Sequence, residues 1–285
     1  MILRSETSSS LKLTGDVTAF IQEAVAAPAP VVKKVWLSAD NPKSLGLQVS
    51  AAFSRKGNVP TIEFEFENTK PADVSGFQIQ FNKNSYRLSP AAPLRVPEPV
   101  KNGQKVQCTL ELATKGRSIL RARVKNALAI HSMAACFAGP LAPAFNPALQ
   151  MAVKFSGGVV YFQDVFPAQL LLDESGPMEA GTFISTWQGI PDASEVHSKI
   201  EGIVQAAPGD IKSVLAKQRI SLVAERQVED VVAMYFSGKF IDGEYALVEI
   251  RQAPGAKVVD VALRSKADTL RLNGLVRTLE DALRK

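Results

Sequence analysis

Thr61-Ile62-Glu63-Phe64-Glu65-Phe66-Glu67 decides how the first half of this chain is read. Ile62, Phe64 and Phe66 alternate with Glu63, Glu65 and Glu67. A period of two sends the apolar set to one face and the carboxylates to the other. This predicts a half-buried strand of an antiparallel sheet, with one face on a core and one in water. Working outward, Leu45 to Phe53, Phe77 to Asn82, Val106 to Leu112, Leu149 to Phe155 and Val159 to Phe162 repeat the theme. Turn-formers stand between them: Asn41-Pro42, Asn82-Lys83-Asn84-Ser85, Asn102-Gly103 and Ser156-Gly157-Gly158. Short strands punctuated in this way predict a β-sandwich.

After about Pro167 helical patterns join the strands. Gly209 to Gln218 is a short helical candidate. Asp268 to Lys285 is a longer one, with Leu272, Leu275, Val276, Leu279 and Leu283 on one stripe. Strands are expected near Ile220–Ala224, Val231–Phe236, Tyr245–Arg251 and Val258–Leu263, giving a sheet covered by helices on one face. The run Thr182-Phe183-Ile184-Ser185-Thr186-Trp187 reads as a further alternating strand, ending at the turn Gln188-Gly189-Ile190-Pro191. The fold class is therefore α+β: an N-terminal immunoglobulin-like β-sandwich followed by a C-terminal α+β subdomain. The expected divisions are a linker over 1–32, rich in Ala and Pro, the sandwich over 33–166 with an insertion at 117–146, and the α+β part over 167–285.

Composition bounds the function. With 285 residues, 46% hydrophobic and 21% charged, the chain can hold two modest cores. A net charge of +5 without a dense Lys/Arg stripe does not indicate nucleic-acid binding. Two cysteines (Cys108, Cys136) and two histidines (His131, His197) make no metal-ligand spacing and fit free thiols in a reducing compartment. Met1 to Glu6 has no apolar signal core. Ala127–Phe145 is apolar chiefly through alanine and is broken by Gly139-Pro140, short of the roughly 20 residues a spanning helix needs, and is read as a packed loop or insertion. No P-loop, dinucleotide fingerprint or nucleophile–His–acid arrangement is present. His197 follows Glu195 by two residues, a pairing common in surface loops that needs a third positioned group before it means catalysis.

Trp187 is the residue that points toward binding. It is one of two tryptophans, and most tryptophans are packing residues. At a strand end, however, an indole can lie as a flat apolar platform. Tyr235 and Glu249 follow on their own candidate strands, and an aromatic pair beside a carboxylate suits capture of a peptide.

Gly76-Phe77-Gln78-Ile79-Gln80-Phe81-Asn82-Lys83-Asn84-Ser85-Tyr86, with Val35-Trp36-Leu37 upstream, resembles the sandwich of the β-adaptin appendage, the ear of the large β subunit of heterotetrameric clathrin adaptor complexes. Met151-Ala152-Val153-Lys154 and Val160-Tyr161-Phe162 match its next strands. Ser185-Thr186-Trp187-Gln188-Gly189-Ile190-Pro191, Ala224-Glu225-Arg226-Gln227-Val228 and Val248-Glu249-Ile250-Arg251 continue the match into its platform. The near relatives, appendages of the α-adaptin or coatomer γ type, share the architecture but not the strings around Asn82-Lys83-Asn84. An unrelated enzyme or small-ligand domain on a similar fold is the alternative, and a deep pocket lined by titratable groups would favour it.

The resemblance implies a non-enzymatic, cofactor-free module that binds short motifs of accessory endocytic and sorting proteins, and clathrin. It implies a cytoplasmic chain, peripheral on coated vesicles or pits at the Golgi or plasma membrane, with other adaptor subunits reached through a trunk. The implied platform site is Trp187 and Tyr235 with Glu249, Glu195 and Arg226 around them. A ligand arginine would pair with Glu249 or Glu195 and a ligand acid with Arg226. A short helix ordered on binding implies micromolar affinity, about −8 kcal/mol. A second site on the sandwich is implied at Tyr161, Gln80, Lys83, Gln150, Lys154 and Ala152, although polar residues on a wet sheet face need no function. Three departures stand out. Ala180 replaces an arginine of well-known members. Arg117–Asn146 is longer than its counterpart, and a surface insertion and translated non-coding sequence both fit it. Finally, the chain starts near the hinge, where Leu11-Lys12-Leu13-Thr14-Gly15-Asp16 does not fit a clathrin box; the expectation is a fragment or an excised ear.

Overall fold

Ile62, Phe64 and Phe66 are fully buried, and the glutamates between them point outward, as the alternation requires. The computed structural model of the chain describes residues 31–114, 145–204, 207–267 and 269–285. The linker expected over 1–32 lies outside these except for its last two residues. The insertion at 117–146, with His131 and Cys136, lies outside them except for Phe145 and Asn146.

Eight strands build the first part: β1 (Lys34–Leu37), β2 (Leu47–Lys56), β3 (Val59–Asn68), β4 (Gln78–Phe81), β5 (Ser89–Pro90), β6 (Lys105–Ala113), β7 (Ala148–Phe155) and β8 (Gly158–Val165). One sheet runs β1-β2-β3-β6-β5 and the other β4-β7-β8. All pairings are antiparallel. The outward glutamates of β3 are used locally. Glu65 accepts from Gln107 Nε2 at 3.0 Å, Glu67 from Gln48 Nε2 at 3.1 Å, and Lys105 Nζ lies 3.4 Å from Glu67. Aromatic rings close the gap between the sheets. Trp36 packs on Phe53 at 4.9 Å and Phe162 at 6.0 Å, and Phe66 on Phe77 at 5.2 Å. Burying such rings on both inner faces is what a sandwich core requires.

The second part holds β9 (Leu172–Asp173), α1 (Ala180–Gln188), β10 (Glu195–Glu201), α2 (Pro208–Lys217), β11 (Ser221–Val228), β12 (Val231–Phe240), β13 (Tyr245–Gln252), β14 (Val258–Arg264) and α3 (Thr269–Leu283). Its sheet runs β10-β14-β13-β12-β11, with β9 paired to β12. The stripe on α3 is buried as the spacing predicts, with Leu272, Leu275, Leu279 and Leu283 at 0% exposure. In α2, Pro208 takes the first turn, where its missing N–H is not needed, and Ile211 and Leu215 are buried one turn apart.

Three expectations are corrected. Thr182–Trp187 is not a strand but lies within helix α1. Phe183, Trp187 and Ile190 recur at i, i+4 and i+7, and burying Phe183 and Ile190 against Leu247 overrides the short alternation. Because α1 lies with Leu247, on the opposite sheet face from the core that α2 and α3 cover, helices flank both faces and not one. Glu195 to His197 is not loop but the start of β10, paired along its length with β14.

The two parts meet through side chains at the end of the β2–β3 hairpin. The Arg55 guanidinium donates to the carbonyls of Leu172 and, at 3.5 Å, Leu170. Asn58 Nδ2 donates to Asp173 at 2.6 Å, and Arg219 donates to Leu172 O at 3.3 Å and Glu174 at 3.2 Å. The buried Tyr86 hydroxyl donates to Phe166 O at 3.4 Å, its ring against Gly274 of α3. Val32–Lys285 is one compact unit.

Candidate functional site

The outward face of the second sheet is built in rows. Antiparallel register sets Ala224, Tyr235, Glu249, Ala262 and His197 side by side across β11, β12, β13, β14 and β10. Residues directly opposite share a face, so Tyr235 and Glu249 are neighbours because the strands fold in this register. Toward α1 the preceding row carries Leu247, Arg264 and Glu195. Between Leu222 and Ala224 the register of β11 slips, and the extra residue, Val223, packs into the aromatic cluster under α1.

That cluster joins the two aromatic candidates. Phe183, buried on α1, stacks on Trp187 at 5.5 Å and meets Tyr235 edge-on at 5.7 Å. Trp187 and Tyr235 themselves are half-buried, each with part of its ring in solvent. Arg226 is exposed and lies over the Tyr235 ring at 5.3 Å. The Tyr235 hydroxyl also bonds with Glu249 and Arg226, and burial followed by the Glu249 charge holds this phenol above the usual tyrosine value. Glu249 accepts from Arg251 Nε at 2.9 Å, with Nη2 at the same distance. That partner raises the Arg251 guanidinium above its ordinary value.

Arg264 belongs to this face, although its position in the sequence does not point to it. It is 15% exposed and lies over Trp187 at 5.0 Å. It donates to Asp192 at 2.7 Å, to Ile190 O at 3.3 Å and to Trp187 O at 3.4 Å, and forms an ion pair with Glu195. One guanidinium thus caps the end of α1, fixes the turn behind it and backs the indole. Phe183 was missed too. The available signals were its i, i+4 spacing to Trp187 and the outward parity of Asp260, Ala262 and Arg264 on β14.

The structure therefore brings Trp187, Tyr235, Glu249, Glu195 and Arg226 onto one face beside α1. It also shows the two carboxylates engaged: Glu249 by Arg251 and Tyr235, and Glu195 by Arg264 and by His197 Nε2 at 2.7 Å. Glu195, His197, Lys199, Glu249, Arg251 and Asp260 border an open depression of about 500 Å3 on this face. A second hollow of about 510 Å3 lies between Tyr86, Phe166 and α3, away from these residues.

On the sandwich, Gln80, Ala152 and Tyr161 form one row across β4, β7 and β8. Gln150 and Lys154 flank Ala152 two residues away on β7, and Tyr161 is 56% exposed. Asn82 donates to the Gln150 side chain at 3.1 Å, and Lys83 is exposed in the turn that follows. Among the described residues, no group of three or more His, Cys, Asp or Glu could hold a metal, and no helix is long and apolar enough to cross a membrane.

A sandwich joined to a helix-flanked sheet is the architecture of an adaptor appendage, and the comparisons agree in both halves. Residues 173–283 match the family model of the β2-adaptin appendage C-terminal sub-domain, and residues 33–128 match that of the adaptin C-terminal domain. The chain is similar to the AP-1 complex subunit beta-1 of Homo sapiens, 33% identical over 223 residues, which is 78% of this chain and 21% of that protein. Its counterpart in Rattus norvegicus is 32% identical over 238 residues, covering 82% and 22%. The AP-1 complex subunit beta of Dictyostelium discoideum is 27% identical over 227 residues, covering 78% and 21%. The chain belongs to the β-adaptin appendage family, and it spans about a fifth of the length of the curated relatives it matches.

Proposed function

We propose that this chain is the peptide-capturing appendage of a clathrin adaptor β subunit, acting in vesicle-mediated protein transport by binding and not by catalysis. Residues 33–166 serve as the sandwich subdomain, 167–285 as the platform and 1–32 as the hinge. Its partners are short motifs of accessory and sorting proteins, and clathrin, with other adaptor subunits reached through a trunk. It works on the cytoplasmic side, peripheral on coated vesicles or pits at the Golgi or plasma membrane.

One observation carries this reading: Trp187, Phe183 and Tyr235 form a continuous aromatic wall, part buried and part open, beside an uncovered sheet face. Rigid rings fixed from behind give contact area with little entropy left to lose, which is what an amphipathic helix needs from a groove. The site residues are Trp187 and Tyr235, with Arg226, Glu249 and Glu195 setting the charge around them. The exposed Tyr161, above Ala152 and flanked by Gln80, Gln150, Lys154 and Lys83, is a second site for extended motifs.

Pulldown from cytosol tests both sites. Trp187→Ala loses the platform partners while circular dichroism stays that of the parent, and Tyr161→Ala loses a different set. Unchanged capture by a folded Trp187→Ala chain contradicts the platform site. Identical losses in both variants contradict two sites.

A further inference from the structure

The hollow of about 510 Å3 beside α3 lies where the two parts of the chain meet. Val165, at the end of β8, forms one wall with Phe166 and Pro167. The other wall is the C-terminal end of α2 and one edge of α3. On that edge Gly274, Thr278 and Ala282 recur at every fourth residue, while Leu272, Leu275, Leu279 and Leu283 are buried in the core. Gly274 admits the Tyr86 ring, and the small side chains that follow it leave the space beyond open. Val165 is 51% exposed, and Pro147, Pro167, Val214 and Ala282 are part exposed, so apolar surface on both walls meets solvent. The volume lies within the range of sites that take a small ligand or a few side chains.

Charge at the rim gives the sign of the ligand. Lys217, Arg277 and Lys285 border the hollow against one carboxylate, Asp281. Arg277 Nη2 lies 3.3 Å from Asp281 and Nη1 3.3 Å from Glu280, so that acid is matched on its own helix. Lys217 and Lys285 are exposed and have no ion pair among the described residues. Lys217 ends α2 and Lys285 lies just past the end of α3. Helix C-termini carry partial negative charge, so two lysines there suit single carboxylates and not a polyanion such as an inositol phosphate. Gln169 and Gln218 add side-chain amides, one from each wall. An extended peptide has unpaired N–H and C=O groups that need such partners, because it makes none of its own.

We propose that this hollow is a peptide site in its own right. It takes a short extended segment with one bulky apolar side chain between acidic residues, the apolar group seated on Val165, Pro167 and Val214 and the carboxylates on Lys217 and Lys285. The site is separate from the two faces described above. Val165 lies four residues along β8 from Tyr161, about 13 Å away, and Trp187 does not line the hollow.

The test uses the whole chain, labelled with 15N and with 13C at its methyl groups, at low salt. The probe is a five-residue peptide, phenylalanine with two glutamates on each side, blocked at both ends. Two controls carry glutamine in place of every glutamate, or alanine in place of the phenylalanine. The glutamate peptide is expected to shift the methyls of Val165 and Val214 in a saturable way and to leave the Trp187 indole and the Tyr161 amide in place. It should bind about fivefold tighter than the glutamine peptide, the gain that two exposed ion pairs give. The alanine peptide shows no saturable shift. The double variant K217E/K285E, altered only at exposed positions, prefers glutamine to glutamate. Equal binding of the glutamate and glutamine peptides, or an unchanged preference in the double variant, overturns the inference. Shifts centred on Trp187 or Tyr161 and not on Val165 overturn it by placing the peptide on another face. Absence of saturable binding up to millimolar peptide overturns it as well, including the case in which sedimentation shows a second copy of the chain covering the hollow.

Discussion

Arg264 shows how much of one sheet face can hang on a single residue. It joins an indole, two carbonyls and two carboxylates that lie 69 to 77 residues away in sequence. That separation is why it was illegible: an arginine ending a strand reads as surface charge until the fold brings its partners. Trp187, Tyr235 and Glu249 drew notice in the sequence as an indole at an apparent strand end and two residues on later candidate strands, and the resemblance then grouped them into one implied site. Arg264→Ala is expected to destabilise the chain by roughly 2 kcal/mol, since Glu195 keeps only His197 and the carbonyls of Trp187 and Ile190 lose their donor. A drop in melting temperature of several degrees checks this, and helix capture should fall with it. Gly274 makes a second residue-scale point. A Cβ there would sit 2.6 Å from Tyr86 Cε1, inside α3 and against a ring that is 1% exposed. Ala normally improves a helix by about 1 kcal/mol over Gly, but overpacking of this kind costs about 1–3 kcal/mol. Gly274→Ala is therefore expected to lower the urea midpoint, and Tyr86→Leu in the same chain to restore it.

At the scale of elements, β3, α2 and α3 were legible because their periods are long and clean. Helix α1 was not. Six residues of apparent alternation ended at Trp187, and the next buried residue, Ile190, lies in the expected turn just beyond the end of the helix. Only the fold shows Ile190 and Phe183 buried against Leu247. The β11 bulge was equally hidden, because register is a property of two strands and not one. Phe183→Ala is expected to destabilise by about 3 kcal/mol and to free α1 from the sheet, seen as loss of hydrogen-exchange protection over residues 180–188. The junction of the sheets depends on Arg55, whose guanidinium is held below its ordinary value by burial and by the neighbouring Arg219. Arg55→Ala should speed exchange over residues 168–174 while leaving α1 protected.

For the whole molecule, the sequence conveyed two successive β-rich parts, because alternation and turn residues are local signals. It did not convey their contact, because Arg55 with Leu172 and Tyr86 with Gly274 are long-range facts. Alkaline stability is also a property of the whole. Burial pushes the Cys108 thiol up to about 12 and raises the Tyr86 phenol, and burial with Glu249 raises Tyr235. The folded chain keeps protons that the unfolded chain releases, so stability from these groups is complete below the ordinary thiol value of 9.0 and falls as pH rises from there toward about 12. Urea midpoints followed across that window are expected to decline. In a Cys136→Ser background, Cys108 should react with a thiol reagent only on unfolding.

The most direct test of the central claim uses the chain's two tryptophans as probe and control. Trp187 lies half-buried in the aromatic cluster beside the proposed site, whereas Trp36 has its Nε1 buried in the sandwich core. In a 15N-labelled chain, titration with an amphipathic helical peptide is predicted to shift the Trp187 indole resonance and the amides of Tyr235 and Glu249, leaving the Trp36 indole in place. A peptide that binds while the Trp187 indole stays unmoved would contradict the account.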